Sequence, residues 1–279
     1  MAEPPLQITP LSPAVGAEVR GVDLAAPLTP SLAGRLRQAW LKAGVLVIHD
    51  QQLTADAILA VARAFGEVSD YPFLRGLAGH PEITEVAKLE HETVNFGGVW
   101  HSDTTYLARP PMATLLIARE TPPVGGDTLF ASQAAAYEAL PEGTKRQLQN
   151  MRAVNSSAKA EVSRTREDRL RDAARSQDEQ AFEAAHPAVR RHPETGRQAL
   201  YVNPAHTVRF DSMTEEASAP LLAQLFAHQV RPEFTCRVSW QPGTLAIWDN
   251  RQVLHLPLND YHGHRRVMHR ITLAGDAPA

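Results

Sequence analysis

Apolar residues recur at helical spacing in five stretches of the chain. Residues 30–44 and 54–66 carry this pattern, and each ends at a glycine, the residue that most often follows a helix. Residues 214–230 form a third amphipathic stretch, and residues 132–140 and 141–151 form two shorter ones. We therefore predict five helices at these positions.

Short apolar and β-branched runs, separated by Pro and Gly turns, predict strands. These runs cover residues 45–50, 112–120, 234–240, 243–249 and 267–275. Many short strands with helices gathered mainly near the N-terminus are typical of an antiparallel sandwich. We therefore predict a mainly β fold with added α, a jelly roll with helical insertions, in one domain over residues 1–279.

The segment around residues 160–186 differs from the rest of the chain. It is rich in Arg, Asp, Glu and Ala and contains few large apolar residues. This pattern favours a solvated helical face. The alternative is a mobile lid, because long insertions in enzymes often cover a site.

Composition excludes several classes of partner. The chain has 279 residues, is 43% hydrophobic and carries a formal net charge of −3, so it lacks the basic face typical of nucleic-acid binding. No apolar run is long enough for a membrane span, and the first residues do not resemble a signal peptide. The single cysteine, Cys236, cannot form an intrachain disulfide and suits a small buried position. We expect a cytoplasmic protein that binds neither nucleic acid nor membranes.

The stretch GGVWHSDTTY places His101 and Asp103 two residues apart. In an extended segment, residues i and i+2 point to the same side, so an imidazole and a carboxylate would face one point. They would then be two metal ligands in need of a third. The alternative is a hydrogen-bonded His–Asp pair without metal, since this short pattern is common by chance.

The C-terminal region supplies a third ligand and a basic strand. His255 follows a predicted strand and turn, and a strand over RVMHRIT places Arg266 and Arg270 on one face. Two buried guanidinium groups side by side are costly unless anions meet them, so this face predicts binding of carboxylates. Two histidines and one carboxylate with open positions are typical of non-haem Fe(II) oxygenases.

The stretches ITPLSPAVGAEVRGVDL, WHSDTTY, GGDTLFAS, ALYVN, WDNRQVLH and RRVMHR follow one another along nearly the whole chain. In this order they resemble the TauD/TfdA family of Fe(II)- and 2-oxoglutarate-dependent dioxygenases. The resemblance implies a double-stranded β-helix that uses Fe(II), 2-oxoglutarate and O2 and releases succinate and CO2. It also implies a homo-oligomer, which many family members form.

The resemblance assigns roles to individual residues. It implies that His101, Asp103 and His255 bind iron. It implies that Thr128 and Arg266 hold the distal carboxylate of 2-oxoglutarate.

The resemblance also implies residues that contact the organic substrate. Arg270 matches a position that contacts the acidic group of the substrate and the iron-proximal end of 2-oxoglutarate, and the Thr104 backbone touches the same anion. Phe96 is a candidate pocket wall. Tyr71 and Leu74 stand where taurine-using members carry His and Tyr, so a less polar anion is expected: an alkyl sulfonate, an alkyl sulfate or an aryloxyalkanoate.

Three other functions stay open from the sequence. The first is taurine dioxygenase activity proper. The second is a zinc hydrolase, since two histidines and a carboxylate also suit catalytic zinc, but this leaves Arg266 and Thr128 without a role. The third is a metal-free binding module, which predicts a broken ligand set, whereas all three ligands are present.

Overall fold

The two predicted N-terminal helices have the caps that their sequences indicate. In this computed structural model, which describes residues 6–69, 76–95, 97–160 and 182–279, α1 spans Pro30–Ala43 and α2 spans Ala55–Phe65. The Thr54 hydroxyl accepts a hydrogen bond from the first turn of α2. Gly44 follows α1 with a left-handed φ of 73°, which glycine adopts without steric cost.

The three remaining predicted helices are also present, each slightly shorter than its apolar pattern. They are α3 (Gln133–Glu138), α4 (Glu142–Leu148) and α5 (Glu215–His228). The strands are β1 (Gln7–Pro10), β2 (Ala17–Arg20), β3 (Val45–Ile48), β4 (Val68–Ser69), β5 (Gly76–Leu77), β6 (His80–Lys88), β7 (Ala113–Glu120), β8 (Thr128–Ser132), β9 (Arg152–Ser156), β10 (Glu183–Pro187), β11 (Val189–Arg191), β12 (Gln198–Leu200), β13 (Thr207–Phe210), β14 (Thr235–Val238), β15 (Leu245–Asp249), β16 (Val253–Pro257) and β17 (Arg266–Leu273).

Two sheets form the sandwich. Within the described residues the large sheet has the order β1-β2-β3-β15-β7-β17-β6-β5, with β4 paired to β17, and the small sheet has the order β14-β8-β16. The pairings are antiparallel except for the parallel pair β2–β3. The strands are largely non-consecutive neighbours, as in a jelly roll, and this agrees with the predicted mainly β fold with added helices.

Both faces of the large sheet are buried, so its central strands are apolar throughout. In β3, Leu46 and Ile48 pack under α1 and α2, whereas Val45 and Val47 face the small sheet. In β7, Leu115 belongs to the cluster under the helices, and Leu116 belongs to the cluster that faces the small sheet. The cavity described below therefore lies in the layer between the two sheets.

Helices α3, α4 and α5 pack on β9, β12 and β13 in a third apolar cluster beside the sandwich. Strand β9 pairs with β10 on one side and with β13 on the other. Of the segment 160–186, residues 161–181 lie outside the described residues, and Glu183–Pro187 belongs to β10. The lid and the single domain over residues 1–279 stay predictions.

No helix of the described residues is long and apolar enough to cross a membrane. Cys236 lies in β14 with 7% of its surface exposed, and burial raises the pKa of its thiol to about 12. It is a small buried residue of the core, as predicted.

Candidate metal centre

The two histidines of the centre lie on backbone segments that hydrogen-bond to each other. The His101 N–H donates to the His255 carbonyl oxygen (3.1 Å), and the His255 N–H donates to the His101 carbonyl oxygen (2.8 Å). His255 is the middle residue of β16, which pairs with β8 in the small sheet. The two imidazole rings are thereby held with their centroids 4.1 Å apart.

Asp103 reaches the same point from a turn. The expectation of an extended segment holds for His101, which forms the bridge, but is wrong at Asp103, because a turn occupies residues 103–106. Strand pairing ends at His101 and the chain reverses directly after it. Within the turn Thr104 has a φ of +40°, an uncommon value for a β-branched residue.

The three candidate ligands converge on one point. One ligand atom from each of His101, Asp103 and His255 lies within 4.8 Å of the other two. Asp103 Oδ1 is 3.8 Å from the Nε2 atom of each histidine, and all three residues are buried. In the part of the chain that the structure describes, no other His, Cys, Asp and Glu cluster of this geometry occurs. The donor set fits a ferrous ion.

His101 presents a lone pair to that point, whereas His255 Nδ1 has no hydrogen-bond partner among the described residues. His101 Nδ1 lies 2.7 Å from the carbonyl oxygen of Val99, which can only accept, so Nδ1 carries the proton and Nε2 is free to ligate. Burial lowers the pKa of both His101 and His255, so both rings are neutral near pH 7. A neutral imidazole is the form that binds a metal.

Asp103 is held as a carboxylate by its neighbours. Burial alone would raise its pKa, but Arg270, the two histidines and the hydroxyl of Thr114 together lower it below its ordinary value. Arg270 Nη2 lies 2.9 Å from Oδ2, and the Thr114 hydroxyl donates to the same oxygen at 2.5 Å. Oδ2 is thus engaged by the protein, while Oδ1 faces the histidines.

A chain of buried hydrogen bonds supports Asp103 from behind. The Asn250 amide donates to the Thr114 hydroxyl (3.0 Å), and the Trp248 indole N–H donates to the Asn250 side-chain oxygen (3.0 Å). The Ser102 hydroxyl donates to the Asn250 carbonyl oxygen (2.7 Å). These bonds fix the carboxylate relative to β15, as partners behind a metal ligand do.

A cavity adjoins the ligands between the two sheets. It is lined by Val86, His101, Leu116, Thr128, Trp248, His255, Pro257, Arg266 and Arg270. The two predicted arginines and the predicted threonine therefore share one cavity with two of the three candidate ligands. The lining combines apolar side chains with two guanidinium groups.

Arg266 is the clearest anion-binding group of this cavity. It is buried, and among the described residues its Nε and Nη2 atoms have no hydrogen-bond partner. Its guanidinium carbon lies 5.6 Å from the centroid of a Trp240 ring, and the Trp240 indole N–H donates to the Thr128 hydroxyl (3.0 Å). A buried guanidinium with unused donors is costly unless an anion meets it, so a carboxylate fits here.

Comparisons with known proteins agree on the family to which this chain is similar. The sequence profile described as "Taurine catabolism dioxygenase TauD, TfdA family" matches residues 7–272. The chain belongs to the TauD/TfdA family. It is 31% identical to an alpha-ketoglutarate-dependent sulfate ester dioxygenase of Pseudomonas putida, over 98% of this chain and 91% of that protein. It is 33% identical to an alkylsulfatase of Acinetobacter baylyi, over 97% and 86%.

The fold comparison agrees. A crystal structure of a taurine dioxygenase from Burkholderia xenovorans superimposes with a TM-score of 0.83 at 34% identity, over 99% of this chain and 93% of that one. The predicted family, jelly-roll class and 2-oxoglutarate-dependent reaction class are confirmed. Dioxygenases of this class use Fe(II), 2-oxoglutarate and O2, as the sequence predicted.

In this TauD/TfdA chain the WDNR stretch is a buried ion-pair network. Arg251 donates two hydrogen bonds to Asp249, each 2.8 Å long, and His192 Nε2 lies 2.9 Å from the same carboxylate. Arg251 also bonds to Glu194, which in turn pairs with Arg37 of α1. The network ties helix and turn to the loop that leads into β16, and so it places His255.

The structure locates only part of the predicted substrate site. Arg270 lines the cavity and Thr104 is buried in the turn beside the ligands. Tyr71, Leu74 and Phe96 lie outside the described residues. The roles of all five stay predictions.

Sequence reasoning missed several residues that surround the site. Thr114 stood out in principle, as a lone hydroxyl in the apolar run MATLLIARE. His206 is buried with its ring 6.2 Å from that of His101, and burial lowers its pKa to about 3. Lys88 and Tyr261 flank Arg266, and nothing in the local pattern indicated that they meet.

Proposed function

We propose that this chain is an Fe(II)- and 2-oxoglutarate-dependent dioxygenase that oxidises a small organic anion. The observation that carries the proposal is the convergence of His101, Asp103 and His255 beside a buried guanidinium with unused donors. In this proposal His101 and His255 bind the ferrous ion through Nε2, and Asp103 binds it through Oδ1.

The co-substrate end of the cavity is assigned to Arg266 and Thr128. Arg266 offers a planar pair of N–H donors, which suits the distal carboxylate of 2-oxoglutarate. The Trp240 indole occupies one side of the Thr128 hydroxyl oxygen and thereby leaves its hydrogen for that carboxylate. When bound, the ferrous ion and 2-oxoglutarate would supply the chemistry by which O2 oxidises a C–H bond, with release of succinate and CO2.

Arg270 is assigned to the anionic group of the substrate. One of its nitrogens already bonds to Asp103, and the residue also lines the cavity, so it can orient the substrate relative to a metal ligand. Val86 and Leu116 lie beside the space assigned to 2-oxoglutarate and suit the methylene groups of that co-substrate. We favour a sulfate ester, a sulfonate or an aryloxyalkanoate over taurine because Tyr71 and Leu74 stand where taurine-using members carry His and Tyr.

Among these classes we favour alkyl sulfate esters, because the names of two relatives mention a sulfate ester and an alkylsulfatase activity for those proteins. Hydroxylation at the carbon next to the ester oxygen gives R–CH(OH)–OSO3⁻. Its hydroxyl proton leaves, the C–O bond to sulfate breaks, and an aldehyde and sulfate form. This collapse needs no further catalytic residue.

The decisive experiment is anaerobic addition of Fe(II) and 2-oxoglutarate, followed by a panel of substrates. We expect a weak visible charge-transfer band, and then succinate, sulfate and aldehyde in equal amounts when O2 and an alkyl sulfate are added. His101→Ala and His255→Ala should abolish the band and the succinate. The absence of the band in the native protein would contradict the proposal and favour a zinc hydrolase or a binding module.

The panel also decides between the anions, since alkyl sulfonates, aryloxyalkanoates and taurine are measured beside the sulfate esters. Turnover of taurine at the highest kcat/KM would contradict the preference for a less polar anion. The cytoplasmic location and a homo-oligomer stay predictions.

A further inference from the structure

A second buried cation lies close to Arg266. Lys88 is the last residue of β6 and only 4% of its surface is exposed. Its Nζ atom is buried and has no hydrogen-bond partner among the described residues. Burial of an ammonium group without a hydrogen-bonded anion is costly, and here it lowers the pKa of Lys88, although the charge of Glu92 acts in the opposite direction.

The register of the large sheet places Lys88 directly opposite Arg266. Strand β6 pairs with β17, and Lys88 and Arg266 are partners in that ladder. Directly opposed residues share one face of a sheet, and this is the face on which Val86 and Arg270 line the cavity. Like charges at opposed positions destabilise a sheet, so the pair acts against folding unless an anion is added.

Tyr261 connects the two cations. The Lys88 Nζ lies 4.4 Å from the centroid of the Tyr261 ring, a cation–π contact. The Tyr261 hydroxyl interacts with Arg266, whose pKa burial lowers and this hydroxyl raises. One buried tyrosine therefore holds the ammonium by its ring and the guanidinium by its hydroxyl.

The nearest carboxylates have other partners. Glu92 accepts a hydrogen bond from the Leu89 backbone N–H (2.8 Å). Asp127 accepts from Arg237 Nε (2.5 Å) and from the Ser239 hydroxyl (3.0 Å). Neither carboxylate hydrogen-bonds to Lys88 or to the Nε and Nη2 atoms of Arg266. Among the described residues, these three donor atoms therefore have no carboxylate as a hydrogen-bond partner.

We propose that Lys88 is a second cationic determinant for the distal carboxylate of the co-substrate, with Tyr261 as the residue that positions it beside Arg266. This inference rests on the proposed function, because it takes the cavity to bind 2-oxoglutarate. The two cations make the site selective for a 2-oxoacid that carries a second carboxylate.

The test measures binding rather than turnover. The protein is loaded with Mn(II), and dissociation constants are measured by calorimetry for 2-oxoglutarate and for 2-oxopentanoate, in which a methyl group replaces the distal carboxylate. For Lys88→Met we expect 2-oxoglutarate to bind about tenfold more weakly, as for the loss of one interaction with a charged group. Binding of 2-oxopentanoate should not change.

Two further variants separate charge from packing. Lys88→Arg keeps the charge and should restore most of the affinity for 2-oxoglutarate. Lys145→Met removes another lysine that lies over a tyrosine ring, 5.7 Å from the Tyr137 centroid, and should leave both constants unchanged. Without ligands, Lys88→Met should melt no lower than the native protein, because it removes an uncompensated buried charge.

Each outcome is decisive. Native affinity of Lys88→Met for 2-oxoglutarate would overturn the inference, and so would an equal loss of affinity for both 2-oxoacids, which indicates a packing role. If the native protein itself binds no 2-oxoglutarate, the proposed function fails and this inference fails with it.

Discussion

At the scale of single residues, the centre depends on how Asp103 divides its two oxygens. Oδ2 forms an ion pair with Arg270 and accepts a hydrogen bond from Thr114, and Oδ1 is left toward the two histidines. Arg270 therefore has two roles in our proposal, as a partner of a metal ligand and as a wall of the substrate cavity. Variants of Arg270 will change metal binding and substrate binding together.

Thr114 isolates the first of these effects. Thr114→Val keeps the shape of the side chain but removes the donor to Asp103 and leaves the Asn250 amide unpaired. We expect Fe(II) affinity to fall by about 10- to 100-fold, as for loss of a partner behind a metal ligand. Anaerobic titration measures this, and Thr114→Ser, which keeps the hydroxyl, is the control. Unchanged affinity in Thr114→Val would show that the hydrogen bond is dispensable.

At the scale of elements, the GGDT stretch leads into β8 and passes close to the co-substrate residues. Gly126 has a φ of +72°, and a Cβ atom there would lie 3.3 Å from both Arg266 Cδ and Tyr261 Cδ1. Gly196, in the turn between β11 and β12, has a φ of +70° and nothing within 4 Å of the same position. The two glycines share the backbone requirement and differ in what surrounds them.

This pair of glycines gives a matched prediction. Gly126→Ala and Gly196→Ala should each lower the free energy of unfolding by roughly 1–2 kcal/mol, measured in urea, because both force alanine into the left-handed region. Only Gly126→Ala should also weaken 2-oxoglutarate binding, by about tenfold if Arg266 loses one charge-assisted contact. Equal 2-oxoglutarate affinity in the two variants would contradict the role of the GGDT stretch.

Elements with strong local signals were predictable, and those that depend on partners were not. Helices α1 and α2 carry their own caps, and β3, β7 and β15 are continuous apolar runs. The strand β6 alternates polar and apolar residues around His80 and Pro81, and no strand was predicted there. The turn at Asp103 was missed because the end of strand pairing at His101 is a property of β16, which lies far along the chain.

At the scale of the whole molecule, the sandwich brings cations of the large sheet and His255 of the small sheet into one buried layer. The spacing of His101 and Asp103 could be recognised in the sequence. The order of the motifs predicted His255 and Arg266 as further site residues. The contacts of Lys88, Thr114 and Tyr261 could not be predicted from the sequence, because each depends on the pairing of segments distant in sequence.

The excess of positive charge in this layer predicts strong stabilisation by ligands. Mn(II) and 2-oxoglutarate together, each at about 100 times its dissociation constant, should raise the free energy of unfolding by at least about 2.7 kcal/mol, since they bind only the folded chain. Thermal melts measure this as a higher Tm. Chelation of the metal should reverse most of the increase in Tm. Succinate in place of 2-oxoglutarate should give a smaller increase. A Tm that does not change when both ligands are added would contradict the proposed site.

The backbone bridge between His101 and His255 also bears on biosynthesis. Translation produces the second histidine only after 154 further residues, the difference between positions 255 and 101. A nascent chain that stops short of β16 carries two of the three donors but has nothing to hold them in register. In the proposed function, the three ligands can therefore converge on iron only after β16 has been synthesised and has paired with the segment of His101.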